Sequence, residues 1–274
     1  MIFTALVTTN EQLEAVLKNG SCVSRVVLDS AAAEPEQFSE MVLRIRGAGK
    51  EVYYAFPPVF QEKARKYYLK ALPFLQKAGF NGFLLRSLEE FVFARENALK
   101  GRYIADQSIY ALNSEAMRVL MKGGFSEYTA PLEASARDFH PGTYECMELI
   151  VYGYVPMMVS HNCVHATLEG CDHKTRPLIL TDRLAHKMRT VNDCRFCLST
   201  IYNHVPLYLL DCGKEIGRFS PNSARLSFTF ENTEETERIL ALANEAAEAY
   251  KNSGNGPSYP YGEFTRGHFR NSVE

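Results

Sequence analysis

The first 160 residues alternate between short apolar runs and amphipathic stretches of helical length, and this alternation limits the folds open to the chain. The strand-like runs are rich in β-branched and aromatic residues and comprise Ile2–Val7, Arg25–Leu28, Glu51–Phe56, Gly82–Leu85, Tyr103–Ala105, Glu127–Thr129 and Glu148–Val151. The stretches between them carry apolar residues at helical spacing and comprise Asn10–Leu17, Pro35–Arg46, Gln61–Ala78, Leu88–Leu99 and Ser114–Lys122. Strands separated by helices of ordinary length predict parallel β/α units.

Two arrangements are compatible with such units, an open doubly wound sheet and a (β/α)8-type, TIM-like barrel. The open sheet usually carries a glycine-rich phosphate loop after its first strand. The corresponding turn here, "VTTNEQ", contains no glycine. We therefore predict an α/β barrel with an irregular eighth unit. Its mouth is then lined by residues that follow the strands, namely Thr8, Thr9, Asp29, Pro57, Arg86, Asp106, Tyr110, Asn113 and Glu133.

The character of the sequence changes after Ser160. We predict a barrel-like core at 1–160, a cysteine-rich metal-binding segment packed on it at 161–230, a C-terminal helix at 231–251 and a tail at 252–274. The segment contains two further strand-like pieces, and the helix has Thr233 as a candidate N-cap. The tail is rich in glycine, proline, serine and tyrosine, which is typical of a flexible extension.

Charge and hydropathy exclude some classes of protein. A formal net charge of −2 argues against a surface built entirely for nucleic acid, although it permits a local basic groove. No apolar run approaches the roughly 20 residues that span a bilayer. The N-terminal stretch lacks the basic region and cleavage site of a signal peptide. We therefore expect a cytoplasmic protein whose seven cysteines are thiols or metal ligands rather than a disulfide framework.

Four of the cysteines fall in one segment, at Cys163, Cys171, Cys194 and Cys197. The last two form a Cys-x-x-Cys pair, a spacing that lets two thiolates reach one metal ion from a tight turn. Four sulfurs complete a tetrahedral zinc site or the corners of an iron–sulfur cluster. The alternative is that the thiols are reduced and packed as small apolar groups.

Other potential ligands lie near this set and elsewhere in the chain. Three histidines of the segment are candidate replacements for a thiol, His161, His165 and His173. The isolated cysteines are Cys22, Cys146 and Cys212. We expect Cys22 and Cys146 to be packing residues, and Cys212, which follows an apolar run, is the reserve ligand if one of the four fails.

Candidate catalytic and substrate-binding residues come from the predicted mouth and from the cysteine segment. The catalytic candidates are Glu133, Asp106 and Arg183, and the substrate-binding candidates are Asn113, Tyr110, His161 and Arg176. Asn113 and Glu133 have a structural alternative, since each is placed to cap the helix that follows it. Arg183 is suited to hold a substrate phosphate bidentately, or else to pair with Asp182.

The cysteine segment carries a local excess of positive charge, as contacts to phosphates require. Its basic residues are Lys174, Arg176, Arg183, Lys187, Arg189 and Arg195. A solvated loop surface is the other explanation of such a run. A protease would need an activated nucleophile or a metal ion with an open position, and the sequence contains neither HExxH nor GxSxG.

Several segments together form a recognisable pattern: "ELIVYGYVPMMVSHNC", "LTDR", "DCRFC", "IYNHVPLYLLD" and, upstream, "ADQSIYALNSEAMRVLMKGGFSEYTAPLE". The pattern resembles peptidase family U32, the collagenase-like peptidases, and is most similar to the C-terminal part of long bacterial members. Glu148 and Cys163 match the family signature, and Asn113 and Glu133 stand in characteristic places. Tyr152 stands where many members have histidine, so a role proposed for that histidine does not carry over.

The resemblance implies two different activities. The family's name implies proteolysis, including collagen degradation, whereas better-understood relatives are iron–sulfur proteins that support hydroxylation of tRNA or rRNA bases or of a quinone precursor. The resemblance implies that the four cysteines hold a 4Fe–4S cluster at the mouth of a barrel, with Zn²⁺ as the alternative. We expect hydroxylation of a base in structured RNA. The alternatives are a protease acting on a protein or peptide and a non-catalytic, zinc-stapled binding domain.

Overall fold

The computed structural model describes residues 1–139, 146–175 and 177–271. Its strands are β1 (Ile2–Val7), β2 (Val23–Asp29), β3 (Glu51–Ala55), β4 (Gly82–Leu85), β5 (Arg102–Ala105), β6 (Glu127–Thr129), β7 (Met147–Ser160), β8 (Leu178–Thr181), β9 (Lys187–Asp193), β10 (Leu198–Tyr208) and β11 (Ser223–Ser227). Its α-helices are α1 (Asn10–Asn19), α2 (Phe38–Gly47), α3 (Glu62–Ala78), α4 (Leu88–Glu96), α5 (Ser114–Gly123), α6 (Val164–Glu169), α7 (Gly213–Ile216) and α8 (Thr233–Lys251). Short 3₁₀ helices lie at Pro35–Gln37, Gln107–Ile109 and Leu210–Cys212.

Eight parallel strands close into a barrel with helices between them. β1 to β7 pair in sequence order, and β11 pairs in parallel with both β1 and β7. The register sets Ile2 opposite Ser223, and Ser223 opposite Glu148. The predicted (β/α)8 barrel is therefore confirmed, and β11 is its eighth strand.

The position of β11 differs from the predicted division of the chain. That division placed these residues in the cysteine-rich segment at 161–230, outside a core at 1–160. The structure places them in the barrel because β1 and β7 would otherwise each leave the backbone groups of one edge unpaired. β11 lies between these two edges and pairs with both. The residues between β7 and β11 are therefore an insertion into the last barrel unit.

The insertion builds an antiparallel sheet that continues from the barrel wall. The first part of β7 lies in the barrel, and its second part pairs with β10, which pairs with β9 and through it with β8. We call β8, β9, β10 and the part of β7 beyond Gly153 the arm. The φ of Gly153 is +147°, and a Cβ there would lie 2.6 Å from the carbonyl oxygen of Ser227. Only glycine permits the backbone of β11 to approach this closely.

The interior of the barrel has an apolar middle between two charged ends. The middle consists of buried side chains, Leu6, Val27, Tyr53, Ala55, Leu84 and Ile104. At the end where the strands begin, Arg25 donates two parallel hydrogen bonds of 2.8 Å to the carboxylate of Glu127. Arg102 and Glu51 extend this network toward solvent. The network closes that end of the barrel.

The helices cover the outside of the barrel and are capped by side chains. Thr9 caps α1, and Asn232 caps α8 in a reciprocal capping box. The cap of α8 lies one residue before Thr233, the cap predicted for this helix. Contacts between α1 and α8 close the ring of helices. None of the helices that the structure describes is long and apolar enough to cross a membrane.

The tail packs on the barrel as far as the structure describes it, which differs from the flexible extension predicted at 252–274. The Tyr208 hydroxyl donates a hydrogen bond of 2.7 Å to the carbonyl oxygen of Pro257. Thr265 exchanges backbone hydrogen bonds with the end of β10, and Phe269 is buried. The tail is ordered because its aromatic side chains and backbone groups find partners, which composition alone does not reveal.

Removal of one partner of the buried Arg25–Glu127 pair is expected to destabilise the barrel. Glu127→Ala leaves the Arg25 guanidinium buried without its bidentate acceptor, so the free energy of unfolding should fall by about 3–5 kcal/mol. The matched control is Glu115→Ala, which breaks an exposed pair with Arg118 on α5 and should change it by about 0.5 kcal/mol or less. Urea unfolding followed by circular dichroism measures both variants. Equal losses would contradict a structural role for the buried pair.

Candidate substrate-binding site at the barrel mouth

A cavity of about 520 Å³ lies between the mouth of the barrel and the arm. Its floor residues come from the carboxyl ends of barrel strands and include Asp29, Arg86, Asp106 and Arg225. Its wall comes largely from the arm and includes Val155, Val159, Val191, Leu198 and Tyr202. Barrels of this type keep their active sites at this face, where the loops after the strands converge. The cavity is therefore the candidate functional site.

The floor is a chain of ion pairs between side chains from different strands. Arg86 donates to Asp29 at 2.7 Å and to Asp106 at 3.3 Å. Arg225 lies 2.6 Å from the other oxygen of Asp106 and 3.0 Å from Glu148. Apart from Arg86 and Asp29, which are slightly exposed, these side chains are almost fully buried. Three carboxylates and two guanidinium groups thus hold one another in fixed positions.

These ion pairs set the protonation state of Asp106. Burial alone would raise its pKa, but the guanidinium groups of Arg225 and Arg86 outweigh that effect and hold the pKa below its ordinary value. The Asp106 side chain also accepts a hydrogen bond of 2.8 Å from the backbone of Gln107. Asp106 is therefore ionised at neutral pH, which suits it to position two arginines and not to donate a proton.

Glu90 lies beside the floor in a different electrostatic environment. Its side chain is fully buried in the first turn of α4 and accepts a hydrogen bond of 2.6 Å from the backbone N–H of Arg86. Burial raises the pKa of Glu90 to about 8. The carboxyl group is therefore mostly protonated at neutral pH, and it holds the Arg86 backbone by a hydrogen bond rather than by charge.

One side of the cavity is a group of aromatic rings with a cation against it. The ring centroids of Tyr154 and Phe230 lie 4.4 Å apart, and Tyr202 meets Phe230 edge-on at 5.6 Å. The guanidinium of Arg189 lies 4.5 Å from the centroid of Phe230, within cation–π range. Burial raises the pKa of Tyr154 to about 12, so its hydroxyl stays protonated. We call these four residues the aromatic platform.

Of the predicted site residues that follow barrel strands, Asp106 lines the cavity, whereas Tyr110, Asn113 and Glu133 do not line its described part. Asn113 caps α5 by accepting a hydrogen bond of 2.9 Å from the backbone of Ala116. The Tyr110 hydroxyl donates to the Glu133 carboxylate at 3.4 Å, and that carboxylate raises the pKa of Tyr110. The catalytic and substrate-binding roles of these residues stay predictions.

The remaining candidates belong to the arm and its connections. Arg183 is exposed in the turn between β8 and β9, outside the lining of the cavity, and the carboxylate of Asp182 accepts hydrogen bonds from the backbone of that turn. His161 follows β7, with its Nδ1 3.2 Å from the carbonyl oxygen of Cys197. Arg176 lies outside the described residues. The roles of all three candidates stay predictions.

The four predicted metal ligands lie in two segments of the insertion. Cys194 and Cys197 are in the turn between β9 and β10, Cys163 caps α6, and Cys171 follows that helix. Each is within a few residues of one that lines the cavity, these being Val159, Thr175, Asp193 and Leu198. Among the residues that the structure describes, no three His, Cys, Asp or Glu side chains are grouped closely enough to hold a metal ion. The four-cysteine ligand set therefore stays a prediction.

Several thiols and histidines have local partners. The Cys197 sulfur accepts a hydrogen bond of 3.1 Å from Lys63, at the start of α3. His165 is buried, with its Nε2 3.4 Å from Asp172. Burial raises the pKa of the Cys212 thiol to about 12 and that of Cys22 to about 11. For Cys22 this agrees with the packing role expected of an isolated cysteine.

Two floor residues were not among those expected at the mouth. Arg225 and Glu148 lie inside the strands "SARLS" and "MELIV" rather than after them. A charged side chain almost never stays buried unless it is paired. A charge inside an otherwise apolar strand was therefore the signal that could have identified both residues.

The raised pKa of Glu90 predicts a pH-dependent stability. Its pKa is about 8 in the folded protein against an ordinary 4.5, so between these values the folded state binds a proton that the unfolded state releases. Stability should therefore fall as pH rises through this window, by up to roughly 1.4 kcal/mol per pH unit. Glu90→Gln keeps an acceptor for the Arg86 backbone and should remove this decline. Urea unfolding between about pH 5 and 8 tests it, and parallel pH profiles for wild type and variant would contradict it.

A family model identifies the family of this chain, and several solved structures are similar to it. No curated protein matches it. Among solved structures it is similar to the U32 peptidase Mk0906 (10% identity, 85% of this chain and 94% of that chain, TM-score 0.47). It is also similar to phosphoribosylanthranilate isomerase from Thermotoga maritima (11% identity, 90% and 99%, TM-score 0.45) and D-psicose 3-epimerase from Clostridium cellulolyticum H10 (11% identity, 92% and 98%, TM-score 0.45). The family model "Peptidase family U32" matches residues 20–241, more than half of the chain. The chain belongs to peptidase family U32.

Proposed function

We propose that this protein supports hydroxylation of a base in structured RNA, that the base binds in the mouth cavity, and that the protein holds an iron–sulfur cluster. The proposed cluster ligands are Cys163, Cys171, Cys194 and Cys197. The observation that carries the proposal is the cavity, in which a fixed charged floor faces an aromatic platform and residues close in sequence to these cysteines line the wall.

The cavity suits a nucleoside in size and chemistry. Its volume of about 520 Å³ lies within the ordinary range of small-molecule sites, about 300–1,000 Å³. The rings of Tyr154 and Phe230 offer a surface on which a base can stack. Thr200 and Tyr202 line the same cavity and carry hydroxyl groups that can hydrogen-bond to the edge of a base. Enzymes that act on a base bind it, out of its helical stack, by these two kinds of contact.

The four thiols fit an iron–sulfur cluster in donor chemistry but are not gathered around one. Four cysteine thiolates are the common ligand set of such clusters, and zinc accepts the same set. The described placement brings no three metal-binding side chains together. Ordering of two segments around a metal is commonly driven by the free energy of metal binding itself. An iron–sulfur cluster, when bound, would supply one-electron transfer. The oxygen atom would come from a separate oxygen donor, which is reduced as the C–H bond of the base becomes C–OH.

Proteolysis, which the family's name suggests, has less support in the cavity. None of the described lining residues is a histidine, so the serine and threonine hydroxyls there lack an imidazole base. The Ser30 hydroxyl lies 3.3 Å from Asp29, but that carboxylate is paired with Arg86. A zinc ion held by four cysteines would leave no coordination position for an attacking water.

Purification without oxygen should yield a coloured protein that contains iron and sulfide in matching amounts and absorbs broadly near about 400 nm. Cys194→Ser and Cys163→Ser should lose the colour and the iron, because each removes one ligand. Cys22→Ser is the matched control and should keep both, since Cys22 precedes β2, outside the cysteine segment. Visible spectra with iron, sulfide and zinc analysis on the same sample decide the result. Stoichiometric zinc without colour would favour the zinc-stapled domain, and a wild type free of metal would contradict the ligand set.

Base hydroxylation is tested in cells that lack the gene. Mass spectrometry of nucleosides from their tRNA and rRNA should show the loss of a base that carries one additional oxygen. Wild type and Cys22→Ser should restore it, and Cys194→Ser should not. Unchanged nucleosides together with gelatin cleavage by the purified protein would contradict the proposal and favour a peptidase.

A further inference from the structure

The aromatic platform stands beside a strand that carries exposed cations. Side chains alternate between the two faces of β9, and Val191 and Asp193 line the cavity, so Lys187 and Arg189 lie on the same face of the strand. Both cations are exposed. Among the described residues, no carboxylate oxygen lies within 4.0 Å of the side-chain nitrogens of either cation, so neither forms an ion pair with those residues. This face of β9 therefore leads from solvent to the cavity with positive charge that is not neutralised by those residues.

The platform is held in position by the protein itself. Phe230 lies in the loop after β11, where the carboxylate of Glu231 accepts backbone hydrogen bonds from Thr229 at 2.6 Å and from Phe230 at 3.0 Å. Glu231 is buried, so this loop is clamped from inside. Tyr154 is fixed by the pairing of β7 with β10. Both rings are only half-buried and line the cavity. A platform ordered in advance loses little conformational freedom when a ligand binds.

Half-buried aromatic rings beside a strand that carries exposed cations match the chemistry of a single-stranded nucleic acid. Every base has a π-face that stacks on an aromatic ring or on an arginine plane, and lysine and arginine bind the phosphates on either side. An uncharged peptide could place a ring on the platform but has no anionic groups for Lys187 and Arg189. The combination of rings and cations favours the nucleic acid.

We propose that the rings of Tyr154 and Phe230 in the aromatic platform stack a base of a single-stranded RNA segment, and that Lys187 and Arg189 bind the flanking phosphates. The RNA would then reach the cavity along β9. The inference rests on the proposed function for the kind of ligand, and it goes further by naming the residues that hold the RNA. The binding it describes requires neither a metal centre nor a chemical step.

Fluorescence anisotropy of a labelled single-stranded oligoribonucleotide, titrated with the full chain, tests the platform. Phe230→Leu keeps an apolar side chain and removes the ring, so the Kd should rise about tenfold, as expected for loss of one base–aromatic stack. Arg189→Gln should weaken binding and reduce the magnitude of the slope of log affinity against log salt by about 0.7, the share of one phosphate contact. Lys187→Gln should reduce the slope by the same amount. Circular dichroism confirms that each variant is folded.

A matched control tests whether the effect is specific to the aromatic platform or follows from the loss of any cation–π contact. Arg95 lies 5.7 Å from the ring centroid of Phe91 on α4, and neither residue lines the cavity. Arg95→Gln removes the same kind of contact and should leave the Kd unchanged. An abasic oligonucleotide of the same length should bind wild type and Phe230→Leu equally, whereas Arg189→Gln should weaken its binding as well.

The outcomes distinguish failure of the platform from failure of the proposed function. Equal Kd values of wild type and Phe230→Leu for the base-bearing RNA would overturn the platform. A wild type that binds gelatin peptides and not the oligoribonucleotide would overturn the choice of ligand. The purified protein could contain no iron, or deletion of the gene could leave the nucleosides unchanged, and the proposed hydroxylation would then fail. RNA affinity that still depends on Phe230 would support the platform in either case.

Discussion

Arg225 is a cation that the barrel cannot bury alone, and the arrangement of the mouth depends on that requirement. Its side chain is almost fully buried in β11, where an unpaired guanidinium would cost several kcal/mol. Glu148 on β7 and Asp106 after β5 therefore face it. Asp106 extends the constraint to Arg86, and Arg86 extends it to Asp29 on β2. Because the pairs share partners, no strand end of the floor can shift without exposing or separating a charge. The floor is thus fixed by electrostatics before a substrate is present, which is the property that a binding site on a barrel requires.

The opposite wall of the cavity follows from the length of β7. Pairing of β7 with β11 ends at Gly153, opposite Ser227, although β7 continues to Ser160. The residues beyond Gly153 pair with β10, which lies on the edge of β7 opposite to β11, and the antiparallel arm results. Side chains in a strand alternate between faces, so Val159, Val191 and Thr200 are directed to the cavity while their neighbours face away. A charged floor and an apolar, aromatic wall therefore come from two different sheets. A ligand that is flat and apolar on its faces and polar at its edge fits between them.

The sequence was sufficient to predict the barrel strands and some floor residues, but not their pairing. Seven strands could be identified because each is short and rich in β-branched or aromatic residues, and each of the first five is followed by a stretch of helical length. β11 was harder, since its pattern resembles that of the arm strands and only its pairing with both β1 and β7 distinguishes it. Asp29, Arg86 and Asp106 follow strands, so their place at the mouth could be predicted from position. Which of them meet depends on the stagger of strands around the barrel, and local sequence carries little information about that stagger. Arg225 and Glu148 were missed because they precede the strand ends where functional residues were sought.

The two parts of the candidate site differ in how firmly the chain itself holds them. The floor and the platform are fixed by ion pairs, ring contacts and a buried carboxylate clamp, all within the protein. The four thiols are not gathered in the same way. Cys194 and Cys197 lie in a turn that is anchored by the buried ring of Phe196, whereas Cys163 and Cys171 flank a helix of 6 residues, α6, and the described residues bring no ligand set together. If a metal gathers these thiols, its binding free energy also orders the segments that carry them. Substrate binding and metal binding are then separate properties of one mouth, since the first depends on the barrel and platform and the second on the insertion. On these two proposals, loss of the metal would leave the affinity for RNA intact, so affinity alone would be no measure of whether the chemistry is intact.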